Sequence, residues 1–412
     1  MTGYDMDARV AGYDIDELRA QFPALGLGTV HLDGPGGTQV PQGVLSAVAE
    51  ALVLGMSNRH GAFAASGRAD AYVEQARAAL ADLVGAPKAD GVILGQSMTA
   101  LTFVLAGALS KTWGKGDQIV VSELDHDANI RPWVLAAMRA GAEVRWARVD
   151  AASGELPIEQ YQGLLGPRTV LVAVTAASNA LGTRPDVAAI SARAHAACPR
   201  AVVYVDGVHA TPHGPTDVRA LGADIYACSA YKFCGPHVGA AVADPALLAA
   251  LAPDKLLPSS DAVPDRFETG TAQAESLAGL SAAVEYLASL GTGGDRRARL
   301  VDGMSRIESY ETLLMRRLLD GLGTLPGITV LGTPARRTPT VALVADDASP
   351  RELAAYLGRH DIAAWSGDYY AAELFRALGR PDGALRLGLS HYTSREDVNR
   401  VVAVLAARPR RR

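Results

Sequence analysis

The sequence predicts an α/β protein with one large, mostly parallel β-sheet followed by a smaller C-terminal α+β domain. Between about residues 70 and 250, short runs rich in valine and isoleucine alternate with alanine-rich stretches of helical character. Most of these runs are continuously apolar, which is typical of parallel strands buried on both faces. The predicted strands of this sheet, of a seven-stranded type, are residues 91–94, 118–122, 143–148, 169–175, 201–206, 224–228 and 239–243.

Helices between these strands supply the crossover connections that parallel strands require. We predict them at residues 70–84, 130–140 and 186–197, with a further helix at 101–109 after the first strand. Residues 253–265, rich in proline, serine and aspartate, are predicted to be a loop that leads out of this domain. The elements predicted beyond the loop are helices 297–321, 350–359 and 394–407 and strands 328–331, 341–344 and 384–390.

These elements divide the chain into four predicted parts. Residues 1–28 form an N-terminal segment that packs with the small domain, and residues 29–265 form the large domain. Residues 266–290 are a return segment that starts the interdomain helix, and residues 291–412 form the small domain.

Composition excludes several classes of protein. The chain has 412 residues, 49% hydrophobic and 20% charged residues and a net charge of −5, values typical of a globular protein with a large core. Nothing in this charge balance indicates binding to nucleic acid or to a membrane, and no apolar stretch approaches the roughly 20 residues that span a bilayer. The chain has three cysteines, Cys198, Cys228 and Cys234, and this small, odd number argues against a disulfide framework. Without a signal-peptide pattern at the start, we expect a cytoplasmic protein.

Two residues at neighbouring strand ends indicate a cofactor. Asp206 ends strand 201–206, and Lys232 closes a Ser-x-x-Lys motif that begins at Ser229. An aldehyde cofactor needs a lysine amine for its Schiff base, a carboxylate for its pyridine nitrogen, and hydroxyl and N–H donors for its phosphate. The pair therefore predicts pyridoxal 5′-phosphate (PLP), although an isolated lysine is more often a surface residue and Asp206 could simply cap a turn.

Three further residues follow strands at the same predicted edge of the sheet. Ser97 precedes helix 101–109 as a plausible N-cap, and the free N–H groups of a helix N-terminus suit a phosphate. His126 could stack on a cofactor ring or ligate a metal, but no second histidine lies at ligand spacing in its segment. Asn179 could hydrogen-bond the 3′-oxygen of the ring. Neither a GxGxxG nor a GxxxxGK[ST] motif is present, which argues against a dinucleotide site or a P-loop.

Taken in order, these motifs resemble those of the class V aminotransferase family of fold-type I PLP enzymes, and most of all its cysteine-desulfurase-like branch. The resemblance covers nearly the whole chain. It is carried by His31-Leu-Asp-Gly-Pro-Gly-Gly37, Asp125-His126-Asp-Ala-Asn129, Ser178-Asn179-Ala-Leu-Gly182, Asp206-Gly-Val-His209, Ser229-Ala-Tyr-Lys232, Phe267-Glu-Thr-Gly-Thr271 and Leu385-Arg386-Leu-Gly-Leu-Ser390-His-Tyr-Thr-Ser394.

The resemblance implies a role for each of these residues. Lys232 would be the catalytic Schiff-base lysine, and Thr271 would reach the phosphate across the interface of a homodimer. The expected cofactor-binding residues are Asp206 at the ring nitrogen, His126 on the ring face, His209 near the cofactor oxygen, Asn179, Met98 and Tyr231, with Ser229, Ser97 and Thr271 at the phosphate. The expected substrate-binding residues are Arg386, which would clamp a carboxylate, Arg59 and Tyr369. No metal is expected.

One segment departs from the desulfurase pattern. Desulfurases of this branch carry a persulfide-forming cysteine on a loop of the small domain, but residues 363–370 here contain none, and Tyr369 or Tyr370 takes its place. Gln96-Ser-Met-Thr99 also replaces the usual Gly-Thr-Thr-Glu of the phosphate loop, and Tyr231 stands where histidine is usual. We therefore expect a PLP enzyme acting at Cα and Cβ of an amino acid or amine, through an aldimine and a quinonoid.

The expected outcome is β-elimination, as in a C–S lyase. Transamination, epimerisation and desulfuration through a non-standard cysteine (Cys228 or Cys234) stay open. Two alternative hypotheses for the function belong to other classes. One is a catalytically degenerate binding module, for which we would expect loss of Lys232 or Asp206, and the other is a metal-dependent lyase. A lyase using His126, His209 and His213 would leave Lys232 and Arg386 without a role.

Overall fold

A computed structural model describes residues 14–409 of the chain. Its helices are α1 (Ile15–Ala20), α2 (Gln42–Val53), α3 (Ala64–Val84), α4 (Met98–Leu109), α5 (Arg131–Ala140), α6 (Tyr161–Leu164), α7 (Val187–Ala197), α8 (Pro245–Ala250), α9 (Ala274–Ser289), α10 (Arg296–Gly323), α11 (Pro350–Gly358), α12 (Ala372–Ala377) and α13 (Arg395–Ala406). Its strands are β1 (Val30–His31), β2 (Val92–Gly95), β3 (Gln118–Ser122), β4 (Glu143–Ala147), β5 (Thr169–Thr175), β6 (Val202–Asp206), β7 (Ile225–Ser229), β8 (Gly239–Ala243), β9 (Ile328–Val330), β10 (Thr340–Ala345), β11 (Ile362–Ala363), β12 (Trp365–Gly367) and β13 (Ala384–Gly388).

The large sheet has seven strands in the order β2-β8-β7-β6-β5-β3-β4. Only β8 runs antiparallel to its neighbours; the remaining pairs are parallel. The predicted large, mostly parallel sheet is therefore confirmed. The predicted boundaries of these seven strands agree with the structure to within one residue, because each strand is an apolar run that stops at a polar or glycine-containing turn.

Helices cover both faces of this sheet. Successive side chains of a strand point to opposite faces, so Val120 of β3 joins the core beneath α3, α7 and α9. Ile119 and Val121 join the second core, beneath α4 and α5. Burial on both faces explains why the strands read as continuous apolar runs rather than as alternating ones.

The C-terminal part forms a smaller layered unit. Strands β12-β13-β10-β9 make an antiparallel sheet, and β1 pairs with β11. This sheet shares a third core with α11, α13 and the second half of α10. The first half of α10 contributes Leu300, Met304 and Ile307 to the core of the large sheet, so one helix connects both units. None of the helices within residues 14–409 is long and apolar enough to cross a membrane.

The N-terminal segment contacts the C-terminal helix. Nη1 of Arg19 lies 2.7 Å from a carboxylate oxygen of Asp397 and also donates to the carbonyl of Tyr392 at 2.7 Å. Residues 1–13 of the predicted N-terminal segment lie outside the described residues, and the four-part division of the chain stays a prediction. Elements not predicted from the sequence include α2 and the strands β1, β11 and β12. The strands have only two or three residues each and are too short to show a period.

Candidate active site

A cavity of about 480 Å³ opens at the carboxyl ends of the central parallel strands, where ligands bind in open α/β sheets. The register pairs Thr175 with Asp206 and Asp206 with Ala227, so the ends of β5, β6 and β7 lie side by side. The predicted site residues that line this cavity are Ser97, Met98, His126, Asn179, Asp206, His209, Ser229, Tyr231, Lys232, Tyr369 and Arg386.

Lys232 lies in a short helical turn directly after β7 and is 9% exposed. Its Nζ donates to the carbonyl oxygen of Pro35 and lies 4.6 Å from the centre of the Tyr231 ring. Burial and the nearby charge of Arg386 lower the pKa of Lys232 to about 7, against the opposing effect of Asp206. A large fraction of the amine is therefore unprotonated at neutral pH, as a nucleophile and proton acceptor must be.

Asp206 is the last residue of β6 and is 5% exposed. One carboxylate oxygen accepts the N–H of Val208 at 2.9 Å. Burial raises the pKa of Asp206 to about 6, although Lys232 acts in the opposite direction. The following residue must be glycine, since a Cβ on Gly207 would lie 1.9 Å from the ring of Tyr226.

His126 follows β3 and presents a neutral ring to the cavity. Its Nδ1 accepts the N–H of Ala128 at 3.0 Å, and its ring centre lies 5.4 Å from that of Tyr370. Burial and the charge of Lys232 lower the pKa of His126 to about 4. An uncharged, flat ring in this position is suited to stacking on a cationic heteroaromatic ring.

A buried hydrogen-bond network holds the His126 segment in place. Asp125 accepts from the Ser122 hydroxyl and from Nδ2 of Asn129, the latter at 2.7 Å. The indole N–H of Trp133 donates to Oδ1 of Asn129 at 3.0 Å. Burial raises the pKa of Asp125 to about 8. The network joins the end of β3 to the start of α5 and so fixes the loop that carries His126.

The N-terminus of α4 forms one wall of the cavity. Ser97 caps this helix, accepting the N–H of Ala100 at 3.1 Å. Met98 is buried, and Ser229 at the end of β7 lines the same cavity. Free N–H groups and the positive end of the helix dipole suit a phosphate at this wall.

Arg386 projects from the middle of β13 and is 5% exposed. Nη1 donates to the carbonyl of Asn179 at 2.8 Å, and the guanidinium lies 4.1 Å from the centre of the Tyr369 ring. Burial lowers its pKa to about 10, so it stays cationic at neutral pH. Its Nε has no hydrogen-bond partner, and no carboxylate within residues 14–409 forms an ion pair with Arg386. A buried, unpaired guanidinium of this kind requires an anion.

Asn179 also has an unused hydrogen-bonding atom. Its Nδ2 donates to the carbonyl of Tyr369 at 3.0 Å, whereas its buried Oδ1 has no partner. A buried acceptor left without a donor costs about 1–3 kcal/mol. A hydroxyl group on a bound molecule would remove that cost.

His209 also lines the cavity. Its Nε2 lies 3.0 Å from Oγ1 of Thr340, and its ring centre is 5.2 Å from that of His213. Burial holds the pKa of His209 well below its usual value, so this ring is neutral. His213 in turn lies 2.8 Å from Glu311 of α10. This buried chain of contacts was not predicted from the sequence, where His213 entered only as a possible metal ligand. No group of three potential metal ligands is found among residues 14–409.

Two predicted residues lie elsewhere in the chain. Thr271 and Arg59 line a separate cavity of about 340 Å³, and Arg59 pairs with Asp70 at 3.1 Å and with Asp265 at 3.2 Å. Within one chain, Arg59 therefore lies outside the cavity of Arg386, and its predicted contact with substrate stays a prediction. The predicted role of Thr271 requires a second subunit and stays a prediction.

The loop after β12 forms part of the cavity wall. Tyr369 and Tyr370 have φ values of 56° and 57°, in the left-handed region, and both line the cavity. Asp368 and Trp365 also line it and were missed as site residues, although both lie in the segment compared with desulfurases. Cys228 and Cys234 are 0% exposed and do not line it, and burial raises the pKa of each thiol to about 12.

The side chains present fit PLP. A buried carboxylate matches a pyridinium N–H, a lysine of lowered pKa matches the aldehyde, and a neutral imidazole matches the ring face. The unpartnered Oδ1 of Asn179 matches a ring hydroxyl, and the N-terminus of α4 matches a phosphate. Opposite them, Arg386 matches a substrate carboxylate.

Comparison with known proteins identifies the family. The model of the family "Aminotransferase class-V" matches residues 30–401. An uncharacterised protein of Mycobacterium tuberculosis is 35% identical over 400 residues, covering 96% of this chain and 99% of that protein. A cysteine desulfurase of Klebsiella pneumoniae is 33% identical over 413 residues, covering 95% and 98%. The crystal structure of the cysteine desulfurase CsdA from Escherichia coli has a TM-score of 0.83 and 29% identity, covering 95% of this chain and 98% of that one. The chain therefore belongs to the class V aminotransferase family of PLP enzymes, in its cysteine-desulfurase-like branch.

Proposed function

We propose that the protein catalyses β-elimination from an amino acid whose Cβ carries a leaving group, in the manner of a C–S lyase. The observation that carries this proposal is the absence of a sulfur acceptor at the site. No cysteine of residues 14–409 lines the cavity, and the loop after β12 contributes Tyr369 and Tyr370 to its lining. A leaving sulfur atom would thus depart with its electron pair into solvent, since no thiolate is present to form a persulfide.

Substrate orientation in this proposal rests on Arg386. Its unpaired guanidinium binds the α-carboxylate and fixes the direction of the Cα–H bond. Nη1 is already held by the carbonyl of Asn179, and the ring of Tyr369 packs against the guanidinium, so its orientation is set before substrate arrives. Such preorganisation reduces the entropy lost on binding.

Proton transfer in this proposal rests on Lys232. When bound, PLP holds the substrate amine and delocalises the electron pair left at Cα. Lys232, whose pKa is lowered to about 7, accepts the Cα proton through its free amine. The bond from Cβ to the leaving group then breaks, and the leaving group takes that electron pair. For cysteine the balanced outcome, after addition of water, is pyruvate, ammonia and hydrogen sulfide.

A product assay tests this proposal. PLP-loaded protein is incubated with L-cysteine, and with S-substituted cysteines, and pyruvate, ammonia, sulfide and alanine are measured against K232A as the blank. Stoichiometric pyruvate and ammonia are expected. Alanine without pyruvate would instead show desulfuration, and a thiol-bearing keto acid would show transamination; either result overturns the elimination.

We also propose that the protein is a homodimer with active sites at its interface. Large apolar side chains are exposed on and after α2 and in the loop after α8, including Leu52, Val53 and Leu257 at 54%, 84% and 97%. By sequence these segments flank Ser57 and Ser259, which line the cavity that contains Thr271. Exposed apolar patches of this kind support a protein interface.

A further inference from the structure

A second cavity of about 600 Å³ lies against the second half of α10 and the segment 332–339 that leads into β10. It shares no lining residue with the active-site cavity. An ion pair between Arg184 and Glu308 forms part of its lining. The other lining residues used below are His213, Glu311, Met315, Leu319, Val330 and Arg337.

Glu311 brings a buried, half-satisfied carboxylate to this cavity. The residue is 2% exposed, and its Oε2 lies 2.8 Å from Nδ1 of His213. The other oxygen, Oε1, is buried and has no hydrogen-bond partner. Burial raises the pKa of Glu311, while His213 acts in the opposite direction. An oxygen in this state lacks a hydrogen-bond donor.

Arg337 brings an unmatched cation to the same cavity. Nη2 donates to the carbonyl of Gly332 at 3.0 Å, but the buried Nη1 has no partner. Burial lowers the pKa of Arg337, with no carboxylate opposing the effect. Arg337 and Glu311 do not form an ion pair with one another, nor does Arg337 with any other carboxylate of residues 14–409. Burying a guanidinium without a counter-ion costs free energy, and a bound anion would offset that cost.

Apolar side chains line the same cavity, namely Met315 and Leu319 of α10 and Val330 of β9. We propose that this cavity binds a small zwitterion, whose carboxylate pairs with Arg337, whose ammonium group donates to Glu311, and whose short hydrocarbon chain covers the apolar wall. Such a molecule supplies both missing partners at once, which a simple anion or a simple cation does not.

The cavity is connected to the active site through histidines. Glu311 contacts His213, the ring of His213 lies 5.2 Å from that of His209, and His209 lines the active-site cavity.

Calorimetry on the intact enzyme tests the site. PLP-loaded protein is first reduced with borohydride, which fixes the cofactor to the chain so that an amine cannot react at the active site. It is then titrated with 6-aminohexanoate, hexanoate and hexylammonium. We expect one site per chain for 6-aminohexanoate and binding at least about tenfold weaker for the two singly charged analogues. Equal binding of hexanoate and 6-aminohexanoate, or no binding of the zwitterion, overturns the proposal.

A matched pair of variants locates the binding. R337Q removes the unpaired guanidinium, and R336Q makes the same change at the exposed neighbouring residue, which does not line the cavity. R337Q is expected to weaken 6-aminohexanoate binding at least about tenfold and R336Q to leave it unchanged. E311Q provides a second test, with loss of the preference for the zwitterion over hexanoate. Thermal unfolding and cofactor content identify any variant that fails to fold, and equal effects of R337Q and R336Q overturn the assignment.

Discussion

Lys232 and Arg386 line one buried cavity, and burial together with the charge of Arg386 sets the chemistry of the lysine. Burial and the charge of Arg386 lower the pKa of Lys232 to about 7, whereas Asp206 offsets only part of that effect. A surface lysine would keep a pKa near 10.4 and be almost fully protonated at neutral pH. At this site the fold itself converts an ordinary amine into a nucleophile.

The lowered pKa predicts the pH dependence of cofactor capture. The rate at which apoenzyme reacts with PLP should rise with pH up to about 7 and then level off, because only the unprotonated amine attacks the aldehyde. Stopped-flow absorbance measures this rate. In R386Q the loss of a neighbouring positive charge should move the midpoint to higher pH. A wild-type rate that keeps rising towards pH 10 would contradict the prediction.

The unpaired guanidinium predicts the cost of changing Arg386. In R386K the charge remains but the two-pronged hydrogen bonding to a carboxylate is lost. We expect KM for the amino acid substrate to rise by about 10- to 100-fold, as for loss of a charged hydrogen bond worth about 1.5–3 kcal/mol. Steady-state kinetics with the product assay measures it. Retention of the wild-type KM would show that substrate binds elsewhere.

At the scale of elements, the loop after β12 is tied to the large domain by its backbone. The carbonyl of Tyr370 accepts the N–H of Asp127 at 2.7 Å, and that of Tyr369 accepts Nδ2 of Asn179 at 3.0 Å. The single O–H of Tyr369 lies between two acceptors, the carbonyl of Trp365 at 2.9 Å and that of Ala384. A loop held in this way serves as a fixed wall of the pocket, unlike a mobile sulfur carrier.

Tyr369 is therefore expected to matter through its hydroxyl as well as its ring. Y369F keeps the ring beneath Arg386 but removes the donor, and we expect a loss of about 1 kcal/mol in unfolding free energy with a severalfold rise in KM. Denaturant unfolding and kinetics measure the two effects. Y370F is the matched control for stability, because Tyr370 is 74% exposed, and its unfolding free energy should not change. Equal destabilisation by both variants would refute the role of the Tyr369 hydroxyl.

At the scale of the whole molecule, Thr271 lies outside the active-site cavity of its own chain. Its predicted contact with the phosphate therefore depends on a second subunit. Thr271 lines the 340 Å³ cavity with Arg59, Asp265 and Glu268. In a twofold dimer, a patch that is distant from one active site can lie beside that of the partner. Only the assembled molecule would then have complete sites.

A hybrid dimer tests that arrangement. K232A removes the lysine, and T271D places a negative charge where the phosphate of the partner site is expected. In a purified K232A–T271D hybrid one site carries both changes and the other carries neither, so about half of the wild-type activity should return. Each parent variant alone should be nearly inactive. An inactive hybrid, or a wild-type protein that is monomeric by light scattering, would contradict the prediction.

The sequence by itself determined the α/β class, the boundaries of the seven strands of the large sheet and the convergence of Asp206, Lys232, His126 and Asn179, because apolar runs and residues at strand ends are local features. Only the tertiary structure decided that, within one chain, Arg59 and Arg386 line different cavities, and that Cys228 and Cys234 are fully buried with raised thiol pKa values. It alone revealed the contacts from Glu311 through His213 to His209, and the unmatched charge of Arg337. These properties arise when segments far apart in the chain exclude water from one another, and burial of that kind leaves no periodic signal in the sequence.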